Sequence, residues 1–171
     1  MNTVNNRRRR ETVRKIEAVF MEFLNEQELS QIRVTDICEK AKINRGTFYA
    51  NFLDVYDLAE KLHKRLAGEV ILLFAPETEL SYSFLRLFEH IKENQSLYYC
   101  YFKLGLDYGE DLSLYDVFSK AIDYPNEHLD YHVSFFTGGL NAIIKKWLNN
   151  GCDKTPQEMT EILLREYHGR F

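Results

Sequence analysis

Residues 42–52 read KINRGTFYANF. Asn44 has the side-chain oxygen to cap a helix, and the run behind it is short. Ile43, Phe48 and Phe52 are apolar anchors, while Arg45, Thr47, Tyr49 and Asn51 alternate with them as polar groups. Gly46 has no Cβ and lets the backbone come close to a partner. The pattern predicts a short helix pinned by one side and offered by the other. Just upstream, residues 34–41 (VTDICEKA) predict another short helix that buries Ile37, Cys38 and Ala41. Two short helices joined by a three-residue turn form a helix-turn-helix.

Outward from that unit the apolar spacing stays helical. Val13, Ile16, Phe20, Phe23 and Leu24 predict an amphipathic helix over about residues 9–26. Leu58, Leu62, Leu66, Val70 and Leu73 line a long helix over 54–74 that must stop before Pro76. Further helices are read from LSYSFLRLFEHIKEN, SLYYCYFKLGL and LSLYDVFSKAI, and from the stripe Leu129, Val133, Phe136, Leu140, Ile143 and Trp147. Thr155 caps a last helix, with Pro156 at its first position. The expectation is an all-α chain of about nine helices. It has a three-helix domain at residues 1–53 and a helical bundle at 54–171.

Charge separates the same two parts. The chain is −4 overall, yet residues 1–65 carry thirteen Lys and Arg against ten Asp and Glu, a net +3. Residues 66–171 carry nine against sixteen, a net −7, and the two together return −4. A basic end on an acidic body directs one face toward a polyanion. No apolar stretch approaches the ~18 residues that span a bilayer. The start is basic without an apolar core, so the expected location is cytoplasmic. Cys38, Cys100 and Cys152 are widely spaced and read as reduced thiols. His128 and His132 stand four apart but lack a third ligand, so no metal and no cofactor is expected. No Gly-rich phosphate loop or nucleophile triad points to an enzyme.

The segment VTDICEKAKINRGTFYANFLDVYDL (34–58) resembles the DNA-binding signature of the TetR family of bacterial transcriptional regulators. Asp36-Ile37, Ala41, Ile43, the RGTFY core, Phe52 and Tyr56-Asp57-Leu58 all fall in register. The tail FFTGGLNAIIKKWLNNGCDKTPQEM looks like that of a subgroup related to regulators of dihydroxyacetone kinase genes. The resemblance implies a homodimer that binds a palindromic operator in double-stranded DNA. It also implies a variable helical domain answering to a small-molecule or protein effector. The sequence departs from the family's usual residues at Lys42, where Gly is common, and at Asn51, where His is common. It departs again at Val55, where Lys is usual, and at Arg33, where Thr or Ser normally caps.

On this reading Arg45 presents a planar fork of donors to a guanine edge or a phosphate. Thr47 reaches a base, Tyr49 the backbone, and Asn44 and Gly46 the phosphates at the helix start. Lys42, Thr35, Arg33 and Asn51 are further DNA-binding candidates. Ile37, Ile43, Phe48 and Phe52 anchor the recognition helix. Arg7–Arg10 are expected as an arm that follows the minor groove or clamps phosphates, against a frayed, solvated terminus. Tyr98, Tyr99, Tyr101, Phe102 and Tyr131 are candidates to line an effector pocket. Phe136, Gly139, Ile143 and Trp147, with Phe135 and Gly138 beside them, are candidates for a dimer interface. The function expected is a DNA-binding transcriptional regulator, a repressor released by an effector. The alternative is a helical regulator that kept the fold and acts through a protein partner or coactivator.

Overall fold

The computed structural model describes residues 3–74, 79–105 and 128–166. Among them lie eight α-helices, one 3-10 turn and no strand. The helices are α1 (Thr3–Glu26), α2 (Val34–Ala41), α3 (Arg45–Tyr49), α4 (Val55–Leu73), α5 (Leu80–Glu93), α6 (Gln95–Lys103), α7 (Leu129–Asn149) and α8 (Pro156–Glu166). The 3-10 turn is Leu29–Gln31. The helix expected from LSLYDVFSKAI falls outside the described residues. Contacts divide the chain into two compact units, Met1–Lys64 and Arg65–Phe171, with the division inside α4.

In the first unit α1 packs on α2 and α2 on α3. Ile16, Val19, Phe20 and Leu24 form the inner stripe of α1, and Ile37, Cys38 and Ala41 that of α2. Phe20, Ile37, Phe48 and Leu58 are fully buried. Each contributes on the order of 1.5–3 kcal/mol by leaving water. Helix α1 begins at Thr3, so Arg7–Arg10 belong to a helix rather than to an extended arm or a frayed end. Arginine is a good helix former. The Arg7–Glu11 ion pair at 3.0 Å bridges one turn of the extension.

The second unit is a helical bundle in which α5 packs most extensively on α8, with α6 against α5 and α7. Phe84, Leu87, Phe88 and Ile91 of α5 are buried, and the two phenylalanines meet the buried face of α7 in aromatic pairs. Phe84 lies 5.9 Å from Phe136 between ring centroids, and Phe88 meets Trp147 edge-on at 5.6 Å. Trp147 satisfies its indole by donating to the Lys154 carbonyl at 3.1 Å. Thr155 and Glu158 close the start of α8 reciprocally. The Glu158 amide donates to the Thr155 hydroxyl at 3.2 Å, and the Thr155 amide donates to the Glu158 carboxylate at 2.7 Å.

These contacts correct part of the expected interface. Phe136 and Trp147 are each only 2% exposed and belong to the chain's own core. Gly139 and Ile143 are half-buried. The residues α7 offers to solvent include Tyr131, Phe135, Gly138 and Ala142, with the polar Asp130, Ser134, Lys146 and Asn149 also exposed. The fold buries the face of α7 with the larger, regularly spaced side chains.

Candidate nucleic-acid interface

The turn between α2 and α3 is built from Lys42, Ile43 and Asn44. Lys42 stops α2 in the left-handed region, at φ 54° and ψ 49°. The Ile43 amide then donates back to the Cys38 carbonyl at 3.0 Å, which satisfies a carbonyl the helix end would leave open. This left-handed stop gives a physical reason why Gly suits the position. Asn44 caps α3: its Oδ1 accepts from the Thr47 amide at 2.7 Å and from the Thr47 hydroxyl at 2.9 Å. A five-residue helix cannot sustain itself by propagation. This one is held by its cap and by Phe48, which is fully buried and meets Phe52 at 5.6 Å.

The same geometry sorts the candidate residues. Asn44, Arg45, Gly46 and Tyr49 are exposed, as are Lys42 and Arg33; Thr47, Thr35 and Asn51 are half-buried. The Arg45 guanidinium has no hydrogen-bond or ion-pair partner among the described residues. Tyr49 stands 55% exposed and braces its ring edge-on against Phe48 at 5.6 Å. Ile37, Phe48 and Phe52 are buried, whereas Ile43 is half-buried at the turn. A Cβ at Gly46 would stand 3.3 Å from Asn44 Oδ1, the atom that holds the cap. Glycine here therefore keeps both the cap and the outer surface clear.

Two groups outside the motif complete the site. Asp54 Oδ1 accepts from the Tyr56 and Asp57 amides, each at 2.8 Å, and so starts α4. Asp57 reaches back to the Leu53 amide at 2.8 Å and pairs with Lys61 at 2.8 Å. The Lys61 hydrogen bond and the Leu53 amide hold the Asp57 carboxyl below its ordinary range. Val55 is buried at the first position of α4. Asn51, expected among the DNA contacts, has both polar side-chain atoms engaged within the chain. Its Nδ2 donates to the Thr47 carbonyl and its Oδ1 accepts from Arg9 Nε, both at 2.9 Å. Reading the motif alone misses Arg9 and Lys61, and it names Asp57 without its bonds to the Leu53 amide and Lys61. The signal for Arg9 is its place one turn before Val13 on the α1 stripe.

In the second unit a cavity of about 40 Å³ is lined by Tyr98, Tyr101 and Phe102, together with Leu66, Val70, Leu87, Asn141 and Ile144. The other two pocket candidates lie elsewhere. Tyr99 donates its hydroxyl to the Leu148 carbonyl, and Tyr131 is 72% exposed. The Tyr98 hydroxyl stands 2.9 Å from His90 Nδ1, while His90 Nε2 lies 3.6 Å from Glu69. Burial first, then the Glu69 charge, pushes the Tyr98 phenol well up. Burial likewise pushes the Cys100 thiol up to about 11, so it is an inert, protonated core group at neutral pH. Among the described residues no group of three or more His, Cys, Asp or Glu could hold a metal ion. None of the helices there is long and apolar enough to cross a membrane.

The family model described as a transcriptional regulator C-terminal region, of the TetR class, matches residues 78–168, more than half of the chain. The chain belongs to the TetR family of transcriptional regulators. Solved structures agree on the fold. One is the dihydroxyacetone kinase operon activator DhaS, at 18% identity and a TM-score of 0.64, with 91% of this chain and 93% of that one covered. A TetR transcriptional regulator from Streptococcus agalactiae aligns at 19% identity and a TM-score of 0.65, covering 95% and 97%. The fatty acid degradation regulator FadR from Bacillus halodurans aligns at 14% and 0.67, covering 92% and 95%. Comparison with curated proteins finds no match. The TetR-family regulator is thus a DNA-binding protein, and α2, its turn and α3 are its helix-turn-helix.

Proposed function

We propose that this regulator is a cytoplasmic homodimeric repressor that acts by binding rather than by catalysis. Each α3 lies in a major groove of a palindromic operator, and an effector releases the complex. The observation that carries the DNA contact is the division of α3. Phe48 is fully buried while Arg45, Gly46 and Tyr49 of the same five-residue helix face solvent. In this reading Arg45 reads a base edge or a phosphate, and Thr47 contacts a base through the free lone pairs of its hydroxyl. Tyr49 and the N–H groups at the start of α3 bind phosphate.

The effector site in this reading is the cavity of the second unit. None of its lining side chains is a charged group, and Tyr98, Tyr101 and Asn141 are its polar lining residues. That lining suits a small uncharged molecule. Room for about 40 Å³ accommodates a water or two, far short of a typical ligand pocket, so an effector must widen it. Leu66, Ala67 and Val70 line the cavity from α4 and would transmit the widening. The effector shifts the population only if it binds one arrangement better.

The deciding experiment is selection of bound fragments from random duplex DNA at moderate salt, with Arg45→Ala as control. Enrichment of a palindrome that the variant does not bind supports the reading. A well-folded protein that enriches nothing sinks it and favours the alternative, a partner protein engaged through the exposed face of α7. One neighbour in fold is named an activator, so activation is a second regulatory sign for this chain. Transcription from a template carrying the recovered operator, with and without the protein, separates the two.

A further inference from the structure

Asn51 stands behind the recognition helix as a junction of three elements. Its Nδ2 donates to the Thr47 carbonyl of α3 at 2.9 Å. Its Oδ1 accepts from Arg9 Nε of α1 at 2.9 Å, and its backbone carbonyl accepts from Lys61 Nζ of α4 at 3.1 Å. Lys61 is held in turn by Asp57 and lies 5.4 Å from the Phe52 ring centroid.

Arg9 reaches this junction because of its place on α1. Arg9, Val13, Ile16 and Phe20 follow at spacings of four, three and four, so Arg9 prolongs the inner stripe beyond the apolar core. Its stem runs along that face while the head stays exposed. Only Nε is bonded to Asn51. The two terminal nitrogens have no hydrogen-bond or ion-pair partner among the described residues. A guanidinium fixed by Nε presents its other edge as a rigid fork, which matches two oxygens of one phosphate. Arg7 and Arg10 are also held through Nε, but by partners on α1 itself, Glu11 at 3.0 Å and the Asn6 carbonyl at 3.2 Å; Arg9 is tied instead to a residue next to the recognition helix.

We propose that Arg9 contacts a backbone phosphate of duplex DNA, and that Asn51 is the positioning residue that couples this contact to the recognition helix. The inference rests on the DNA-binding reading and adds a second fixed point to it. A phosphate held from α1 sets how α3 sits in its groove. Asn51 then acts through Arg9 and Thr47, not by touching DNA.

The test uses the full chain and a duplex recovered by selection with the wild-type protein. Binding is followed by fluorescence anisotropy over a series of salt concentrations. Losing one phosphate contact lowers the slope of log K against log salt by about 0.9, hence by about 1.8 for a dimer. Arg9→Ala is expected to show that drop, with binding on the order of tenfold weaker or more at moderate salt. Arg9→Lys keeps the charge without the fork and should retain most of the slope at severalfold lower affinity. Asn51→Ala should weaken binding, and combining it with Arg9→Ala should add little. Circular dichroism confirms that each variant is folded.

Arg9→Ala with unchanged slope and affinity, but a lower melting temperature, would make the pair a structural tie and overturn the proposal. Fully additive effects of the two variants would remove Asn51 from its role. Either result leaves the function intact if Arg45→Ala still abolishes specific binding. If Arg45→Ala binds like the wild type, the reading of α3 fails whatever Arg9 does. If the wild-type protein binds no duplex, both readings fall.

Discussion

Lys42 holds a backbone conformation that its side chain opposes. At φ 54° the Cβ crowds the following carbonyl, at about 1–2 kcal/mol. Glycine would relieve that, less roughly 0.5–1 kcal/mol for its greater freedom when unfolded. Lys42→Gly should therefore stabilise the protein by up to about 1 kcal/mol, read as a higher urea midpoint. Four residues on, the balance differs. Gly46→Ala gains about 0.8–1 kcal/mol of helix propensity. Its new Cβ sits 3.3 Å from Asn44 Oδ1, and the cap that oxygen makes is worth about 1 kcal/mol. Stability should move by less than about 1 kcal/mol. Operator affinity should fall, because the methyl stands on the exposed side of α3. A variant equal to wild type in both assays would show that the close approach of Gly46 to DNA is not needed.

Helices are held differently at their middles and their ends, and this decides what could be read from the sequence. The helix-turn-helix was legible because Ile37, Cys38 and Ala41 mark the buried side of one short helix, Phe48 anchors the next, and Asn44 is a capping residue at the right place between them. Phe48→Ala removes the buried anchor of α3 and should cost about 3–5 kcal/mol in chemical denaturation, with loss of DNA binding. The true start of α1 was not legible, since arginines carry no apolar signal and Arg7–Glu11 pairing acts only once the helix exists. The bonds of Asn51 to Arg9 and Thr47 were not legible, because an exposed amide and a tethered one have the same sequence. The starts of α4 and α8 rest on carboxylates. Lys61, then the Leu53 amide, depresses the Asp57 carboxyl; the Thr155 amide, then its hydroxyl, depresses that of Glu158. Both contribute stability above the unfolded carboxylate range and lose it as pH falls through the lower folded values. Urea midpoints should hold from neutral pH down to about pH 5 and decline below about pH 4. Asp57→Asn should flatten part of that decline.

A regulator that reads two half-sites about 34 Å apart, as proposed for this chain, needs a two-fold partner and a self-complementary surface for it. Of the residues expected there, Phe136 and Trp147 lie in the chain's own core while Phe135 and Gly138 stay exposed, because period alone cannot say which face of the helix meets that core. What α7 leaves outside includes Tyr131 at 72% and Phe135 at 69% exposure, followed by Gly138 and Ala142 at helical spacing, beside the polar Ser134 and Lys146. Single exposed aromatics are ordinary on a protein surface. Two a turn apart, above small residues that let another helix approach, make a surface suited to a helix–helix interface. Phe135→Glu should leave the fold unchanged, because the side chain is mostly in water already. It should bring two like charges face to face across an isologous contact. The expected result is a shift from dimer to monomer in analytical ultracentrifugation at micromolar concentration, with an unchanged melting profile apart from its dependence on concentration. Binding to a full palindrome should collapse to the level of a single half-site, and the residual binding should keep its sensitivity to Arg45→Ala. A Phe135→Glu protein that remains dimeric and binds the palindrome normally would place the two-fold contact on another surface. This surface of α7 would then be free for a different partner.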